Sequence, residues 1–270
     1  FHGLADLEAR LVRVLHPDSF RDDATRMLRA VRYAGRLGFR LEPETLVLLE
    51  RDRAYLETIS GARIRHEIER MLEEEAPEAL LRRCDELGLL AAVDPALRFG
   101  PQEAEVYRQA RREVPDEARP LVCWAALALE ASAEEAARIA ARLHLTGRQT
   151  TVLACVPAVT ALADVLAEPG LRPSRAAALL DGRPPACLWA VALARRDAAA
   201  DVLRRYLTAW RHVRPHLTGR DLAAMGVPEG PQMGEILRQL RRARLDGEVR
   251  SAADERSLAA RLLASGPREG

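Results

Sequence analysis

The chain contains no lysine: all 41 of its basic residues are arginine. Arginine presents a planar fork of donors suited to phosphates and base edges, where lysine offers a point charge. Forty acidic residues offset them and leave a formal net charge of +1. Any nucleic-acid surface must therefore come from local clustering and not from the charge of the whole molecule. Aromatic residues make up only 4% of the sequence, which argues against the aromatic and β-branched content that sheets favour. The four cysteines, Cys84, Cys123, Cys155 and Cys187, stand more than thirty residues apart. That spacing excludes a CxxC redox or zinc motif and leaves small apolar core residues, as expected in a reducing, cytoplasmic compartment. No signal-peptide pattern is present, and no apolar run is long enough to span a membrane. The chain opens at Phe1 and not at Met, which suggests a start inside a longer polypeptide.

What is present is an Ala-, Leu- and Arg-rich sequence, 48% apolar, whose composition predicts helix almost throughout and a core large enough for two or three subdomains. Helices are expected over 4–10, 22–37, 43–52, 62–74, 77–88, 102–113, 118–131, 133–144, 148–166, 173–181, 185–194, 197–212, 219–225, 232–246 and 252–264, separated by Pro, Gly and Asp. The exception is Leu11–Leu15, which reads as one short strand stopped by His16-Pro17. A lone strand is not stable by itself. The expectation is an all-α fold carrying one orphan strand, left from a missing α/β domain.

Residues 18–40 carry the most chemistry. Ser19 is the expected N-cap of the next helix, with Asp22 and Asp23 in its first turn, where the helix dipole favours anions. At 100° per residue Met27, Leu28, Val31 and Ala34 share one face, and Arg26, Arg29, Arg32 and Arg36 group opposite. Asp23 lies within reach of Arg26 at i,i+3. Residues 21–40 hold six arginines against two aspartates, a local excess of four positive charges. Taken alone, this pattern describes an ordinary amphipathic helix with a solvated arginine face.

The wording of the segment is more specific than its charge. Gly3-Leu4-Ala5-Asp6-Leu7 through Gly38-Phe39 resembles, over nearly its whole length, a stretch of the class II tRNA nucleotidyltransferases: the CCA-adding and A-adding enzymes and the bacterial poly(A) polymerases. Phe1-His2-Gly3-Leu4-Ala5-Asp6-Leu7 resembles the end of their catalytic head. Asp22-Asp23-x-x-Arg26 is similar to their base-reading Glu-Asp-x-x-Arg motif, with Asp for Glu and Ala24 for the usual Pro. Ser60-Gly61-Ala62-Arg63-Ile64-Arg65-His66-Glu67-Ile68 resembles the family's next helical motif, with Ala62 where Glu is usual. Leu217–Leu222 and Gly230–Gly234 are similar to the tail of longer bacterial members; residues 100–205 match only in helical character.

The resemblance implies a tRNA nucleotidyltransferase portion without its catalytic head. Residues 1–17 would be a head remnant, 18–100 a nucleotide-selecting neck, 101–205 a helical body and 206–270 a tRNA-binding tail. Asp23 and Arg26 would read the base of incoming CTP or ATP. Cytosine and adenine both show an amino donor beside a ring-nitrogen acceptor, which a carboxylate and a guanidinium complement. Arg29 and Arg32 would complete the nucleotide site, with Arg63, Arg238, Arg241 and Arg242 as candidate tRNA contacts. Residues 201–250 hold ten arginines against six acids. Family members transfer nucleotides with an Asp-x-Asp metal pair beside a Gly-Ser loop, and neither occurs here. Mg2+ is thus expected only in the head, and this chain alone is expected to be inactive. The histidines His2, His16, His66, His144, His212 and His216 form no His-Asp pair of the kind that some relatives use in an added phosphohydrolase. The competing reading is a non-catalytic helical module that binds RNA or protein.

Overall fold

A computed structural model describes residues 3–264. The first two residues of the head-like motif, Phe1 and His2, lie outside the described residues, as do 265–270. The all-α expectation holds: the described residues form eighteen α-helices and two strands of two residues each. They begin with α1 (Gly3–Glu8), β1 (Leu11–Val12), α2 (Ser19–Asp22), α3 (Thr25–Leu37), β2 (Arg40–Leu41), α4 (Pro43–Asp52), α5 (Gly61–Leu72), α6 (Pro77–Glu86) and α7 (Leu89–Val93). The chain continues with α8 (Pro101–Glu113), α9 (Arg119–Ala126), α10 (Ala133–Arg142), α11 (Gly147–Thr160), α12 (Ala163–Leu166), α13 (Pro173–Leu180) and α14 (Pro185–Ala194). It ends with α15 (Ala198–Thr208), α16 (Gly219–Ala224), α17 (Pro231–Leu245) and α18 (Ala252–Ala264).

The strand expected to be an orphan is paired. Leu11 and Val12 run parallel to Arg40 and Leu41, so β1 has a partner within the chain. Gly38 makes the return possible. At φ 65° it closes α3 in the left-handed region, its N–H bonded to the Ala34 and Gly35 carbonyls, and turns the chain back alongside β1. The helices between the strands serve as the crossover that parallel pairing requires. The strand stops at Val12 instead of Leu15; two residues on, the Val14 N–H donates to the Thr45 hydroxyl at 3.1 Å. A second correction concerns the helix expected over 22–37. It breaks at Asp23, whose backbone is extended (φ −156°, ψ 101°), into α2 and α3, and Asp18 takes the cap position assigned to Ser19. The helix expected over 148–166 divides into α11 and α12, and α7 and a 3-10 turn at Arg53–Thr58 join the set.

The contacts divide the chain into two compact units. One holds the residues up to Ala163 together with Pro184–Arg196; the other holds Asp164–Arg183 and the residues from Asp197 onward. In the first, α14 is apolar on every side and buried from Ala186 to Leu193, as a central helix must be. It packs against α8, α9 and α11. Trp124, Tyr107 and Phe99 are fully buried nearby, with the Phe99 and Tyr107 rings edge-on at 5.0 Å and the Tyr107 hydroxyl donating to the Cys123 carbonyl at 2.9 Å. No helix of the described residues is long and apolar enough to cross a membrane.

The second unit is built on Leu217, Leu222, Val227, Ile236, Leu240 and Ala259. Beside this core Glu255 is wholly buried. Its carboxylate accepts from the backbone N–H of His216 at 3.0 Å and of Leu217 at 2.9 Å, and from Arg244 at 3.1 Å. Burial pushes the carboxyl up, but the two N–H donors and then Arg244 outweigh it and hold it below the ordinary glutamate value of 4.5. A carboxyl lowered on folding stabilises above its unfolded pKa and loses that contribution as pH falls through the folded one. Denaturant unfolding followed from about pH 6 to pH 3 should show this unit weakening below about 4.5. Glu255→Gln should flatten that slope and cost about 1–3 kcal/mol at neutral pH, because one carboxylate oxygen becomes an amide NH2 and the buried donors on that side lose their acceptor. An unchanged acid limb would remove Glu255 from this role.

Candidate nucleotide-reading site

The site forms at the α2–α3 break. Phe20, fully buried, anchors α2 from below, and Arg21 donates to the buried Asp52 carboxylate at the end of α4 at 3.1 Å. Arg51 grips the same carboxylate and also the Pro17 carbonyl at 2.7 Å. The segment leading into the break is thus held on two sides.

Asp23 sits in the break itself. Its Oδ1 accepts from the Thr25 backbone N–H at 3.0 Å and from the Thr25 hydroxyl at 2.7 Å. Its Oδ2 accepts from Arg63 of α5 at 2.7 Å. Burial raises the carboxyl, yet the two Thr25 donors and Arg63 outweigh it, and Asp23 lies below the ordinary aspartate range. It is an ionised acceptor at neutral pH. A carboxylate oxygen accepts about two hydrogen bonds, so Oδ2 keeps one position open.

Arg26 does not pair with Asp23, although the i,i+3 spacing suggested it. Its Nη1 donates to the Ser19 carbonyl at 3.1 Å and the Ser19 hydroxyl at 3.0 Å, and lies 3.9 Å from Asp22. All three contacts use one nitrogen, which leaves the Nε–Nη2 edge for a ligand. The arrangement is an acceptor and a donor edge held on separate supports, the combination that the pairing edges of cytosine and adenine require.

The arginine stripe is not uniform. Arg29 is exposed, its guanidinium raised first by hydrogen bonding to the Tyr33 hydroxyl. Arg32 is 5% exposed and leaves the solvated face on which the helical period put it. It lies between Glu67 at 3.5 Å and Glu74 at 3.3 Å, with its guanidinium 4.7 Å over the Tyr33 ring. Arg29 and then Arg32 hold the Tyr33 phenol below its ordinary pKa. Arg26, Arg29 and Tyr33 line a cleft of about 490 Å³ with Arg13, His16 and Ser19. The basic groups on its wall make it receptive to a phosphate-bearing ligand.

Arg63, a candidate RNA contact from sequence, is committed to Asp23. Arg241 ties α17 to Asp181 and donates to the Val213 carbonyl at 3.0 Å. Arg238 pairs with Glu235 one turn away, and Arg242 is exposed. Sequence spacing does not indicate the contacts that Arg63, Ser19 and Thr25 make at the break: Arg63 is 40 positions from Asp23, Ser19 is expected only as a helix cap, and Thr25 falls at an unspecified position of the Asp22-Asp23-x-x-Arg26 run. Among the described residues no group of three or more His, Cys, Asp or Glu could hold a metal ion.

Residues 38–99 match the family model described as a probable RNA and SrmB-binding site of polymerase A. A CC-adding tRNA nucleotidyltransferase of Geobacter sulfurreducens is 30% identical, the match covering 97% of this chain and 68% of that relative. The chain belongs to the tRNA nucleotidyltransferase family. Its relatives in this family include A-adding, CC-adding and CCA-adding enzymes, and it spans 32% of the length of the A-adding relative and 68% of the CC-adding one. Among solved family members, a CCA-adding enzyme in complex with ATP superposes with a TM-score of 0.78 at 26% identity, covering all of this chain and 66% of the other. The Thermotoga maritima CCA-adding enzyme in complex with tRNA superposes with a TM-score of 0.77 at 25% identity, covering 98% of this chain and 66% of the other.

Proposed function

We propose that this chain reads the incoming CTP or ATP base and holds tRNA for an enzyme that adds C, A or both to the tRNA 3′ end, while nucleotidyl transfer is carried out by a catalytic domain outside these residues. The observation that carries the reading is the pair of supports at the α2–α3 break. Asp23 has one acceptor position left on Oδ2, and Arg26 has one guanidinium edge left. Asp23 takes the amino hydrogen of cytosine or adenine, and Arg26 donates to the ring nitrogen. Uracil and guanine present the opposite polarity and leave both groups unpaired, at about 1–3 kcal/mol for each group that the bound base shuts off from water.

Arg29, with the cleft beside it, receives the remainder of the nucleotide. Arg32 acts from below, packing Tyr33 and closing the floor. On the second unit Arg242 and Arg238 are the outward-facing tRNA contacts on α17, and Arg241 keeps that helix in place. The solved relatives with ATP and with tRNA support both halves of this reading.

The test joins the chain to the catalytic domain of a relative and measures incorporation of all four nucleotides into tRNA. Asp23→Ala and Arg26→Ala are each expected to reduce the preference for C and A over U and G by roughly ten- to a hundredfold, following the cost of one unpaired group. Unchanged selectivity in both variants would sink the assignment and favour a binding module without a template.

A further inference from the structure

Asp23 and Arg26 can discriminate bases only if their side chains stay where a base meets them, and long side chains do so only when held. Arg26 extends from α3 but is held by α2, through the carbonyl and hydroxyl of Ser19. Asp23 follows the last residue of α2 but is held by α3, through the hydroxyl and N–H of Thr25. The two anchors cross the break in opposite directions, so the separation of acceptor and donor depends on the geometry of the break and not on that of one helix. Both hydroxyl-bearing residues are buried, Ser19 at 6% and Thr25 at 3% exposure, while the Arg26 side chain is 43% exposed. A buried, fixed partner thus holds an exposed group, as a support for a binding residue should. The Thr25 hydroxyl lies 2.7 Å from Asp23 and 3.5 Å from Arg63. It donates its single hydrogen to the carboxylate and presents its lone pairs to the guanidinium.

We propose that Ser19 and Thr25 are positioning residues that lock Arg26 and Asp23 in their base-reading rotamers and thereby set the strictness of nucleotide choice. The proposal rests on the base-reading assignment above. Nothing in the chemistry of either hydroxyl calls for contact with the nucleotide. Each acts by removing alternative rotamers: the Arg26 guanidinium free to swing toward Asp22, and the Asp23 carboxylate free to turn both oxygens to Arg63. In either alternative the reading pair splays, and uracil or guanine is rejected less completely.

The experiment has two arms. In the chain itself, nuclear magnetic resonance of the Arg26 Nε–H group reports its order: Ser19→Ala should mobilise it, and Ser19→Thr, which keeps the hydroxyl, should not. For Asp23, Thr25→Val removes the hydroxyl but keeps shape and backbone N–H, and Thr25→Ser restores the hydroxyl. In the transfer assay Ser19→Ala and Thr25→Val should each lower the C-over-U preference by about tenfold, the scale of one lost hydrogen bond to a charged group. The conservative variants should restore that preference at unchanged thermal stability. If Arg26 stays ordered in Ser19→Ala, or if both hydroxyl-deleted variants lose stability but keep selectivity, the positioning role is overturned. If Asp23→Ala and Arg26→Ala also keep selectivity, the base-reading assignment itself fails, and the two failures are told apart by those controls.

Discussion

Arg32→Met should destabilise the first unit by about 3–5 kcal/mol, the cost of stripping the partner from buried charge. Three observations set that size. The guanidinium is 6% exposed, and the two carboxylates it separates, Glu67 and Glu74, are only 12% and 18% exposed. The ion pairs are long, at 3.5 and 3.3 Å, and Arg32 Nε and Glu67 Oε2 make no hydrogen bond, so the pairing compensates desolvation incompletely. Removing the cation leaves two largely buried carboxylates facing one another. The family resemblance predicts something else for this residue, a direct nucleotide contact, and the same variant separates the two. Denaturant unfolding should show a large loss in Arg32→Met that is mostly recovered when Glu67→Gln and Glu74→Gln are added, because three neutral groups of similar volume replace a strained ion triad. A variant of wild-type stability with weakened nucleotide binding would return Arg32 to the ligand.

That contrast marks where sequence reading reaches and where it stops. α4 and α14 were legible to the residue, because Pro43 and Pro185 open them at the first helical position and apolar residues fill the turns behind those prolines. The segment that resembles the family's base-reading motif is legible as wording, and its Asp23 and Arg26 both lie at the α2–α3 break. The break between them was not. No Gly or Pro marks it; the Asp23 side chain diverts the Thr25 N–H from the helical ladder, a local competition visible only once the bond is seen. β2 leaves no mark in the sequence because two residues carry no period. Arg32 departs from the solvated face because its environment is made by Glu67 and Glu74, on and beyond α5, and helical periodicity carries no information about a neighbouring helix. Nothing in the residues around Arg63 indicates that it crosses to Asp23, 40 positions away.

Gly61→Ala is expected to have the second large effect, and its reach extends to the site. Gly61 is the first residue of α5, and a Cβ there would fall 1.8 Å from the Arg142 carbonyl oxygen and 2.8 Å from its carbon. Those are backbone atoms at the end of α10, so no rotamer change can relieve the clash. The end of α10 is itself fixed: Arg142 donates to the Leu56 carbonyl at 2.9 Å and the Ile59 carbonyl at 3.1 Å, and Arg65 of α5 donates to the His144 carbonyl. The helix start must therefore move, at a cost of about 1–3 kcal/mol for overpacking. Arg63 lies two residues further on, so its 2.7 Å bond to Asp23 lengthens with the shift. Thermal unfolding should register the first effect; a rise in the Asp23 pKa, tracked by nuclear magnetic resonance, should register the second. Gly147 supplies the control. It too opens a helix, α11, but a Cβ there meets nothing within 4 Å, and Gly147→Ala should be neutral or stabilising by up to about 1 kcal/mol. Equal behaviour of the two variants would mean that the α5–α10 contact yields freely. In that case the alignment of Arg63 with Asp23 would depend on the side chains alone and not on the approach of the two helices.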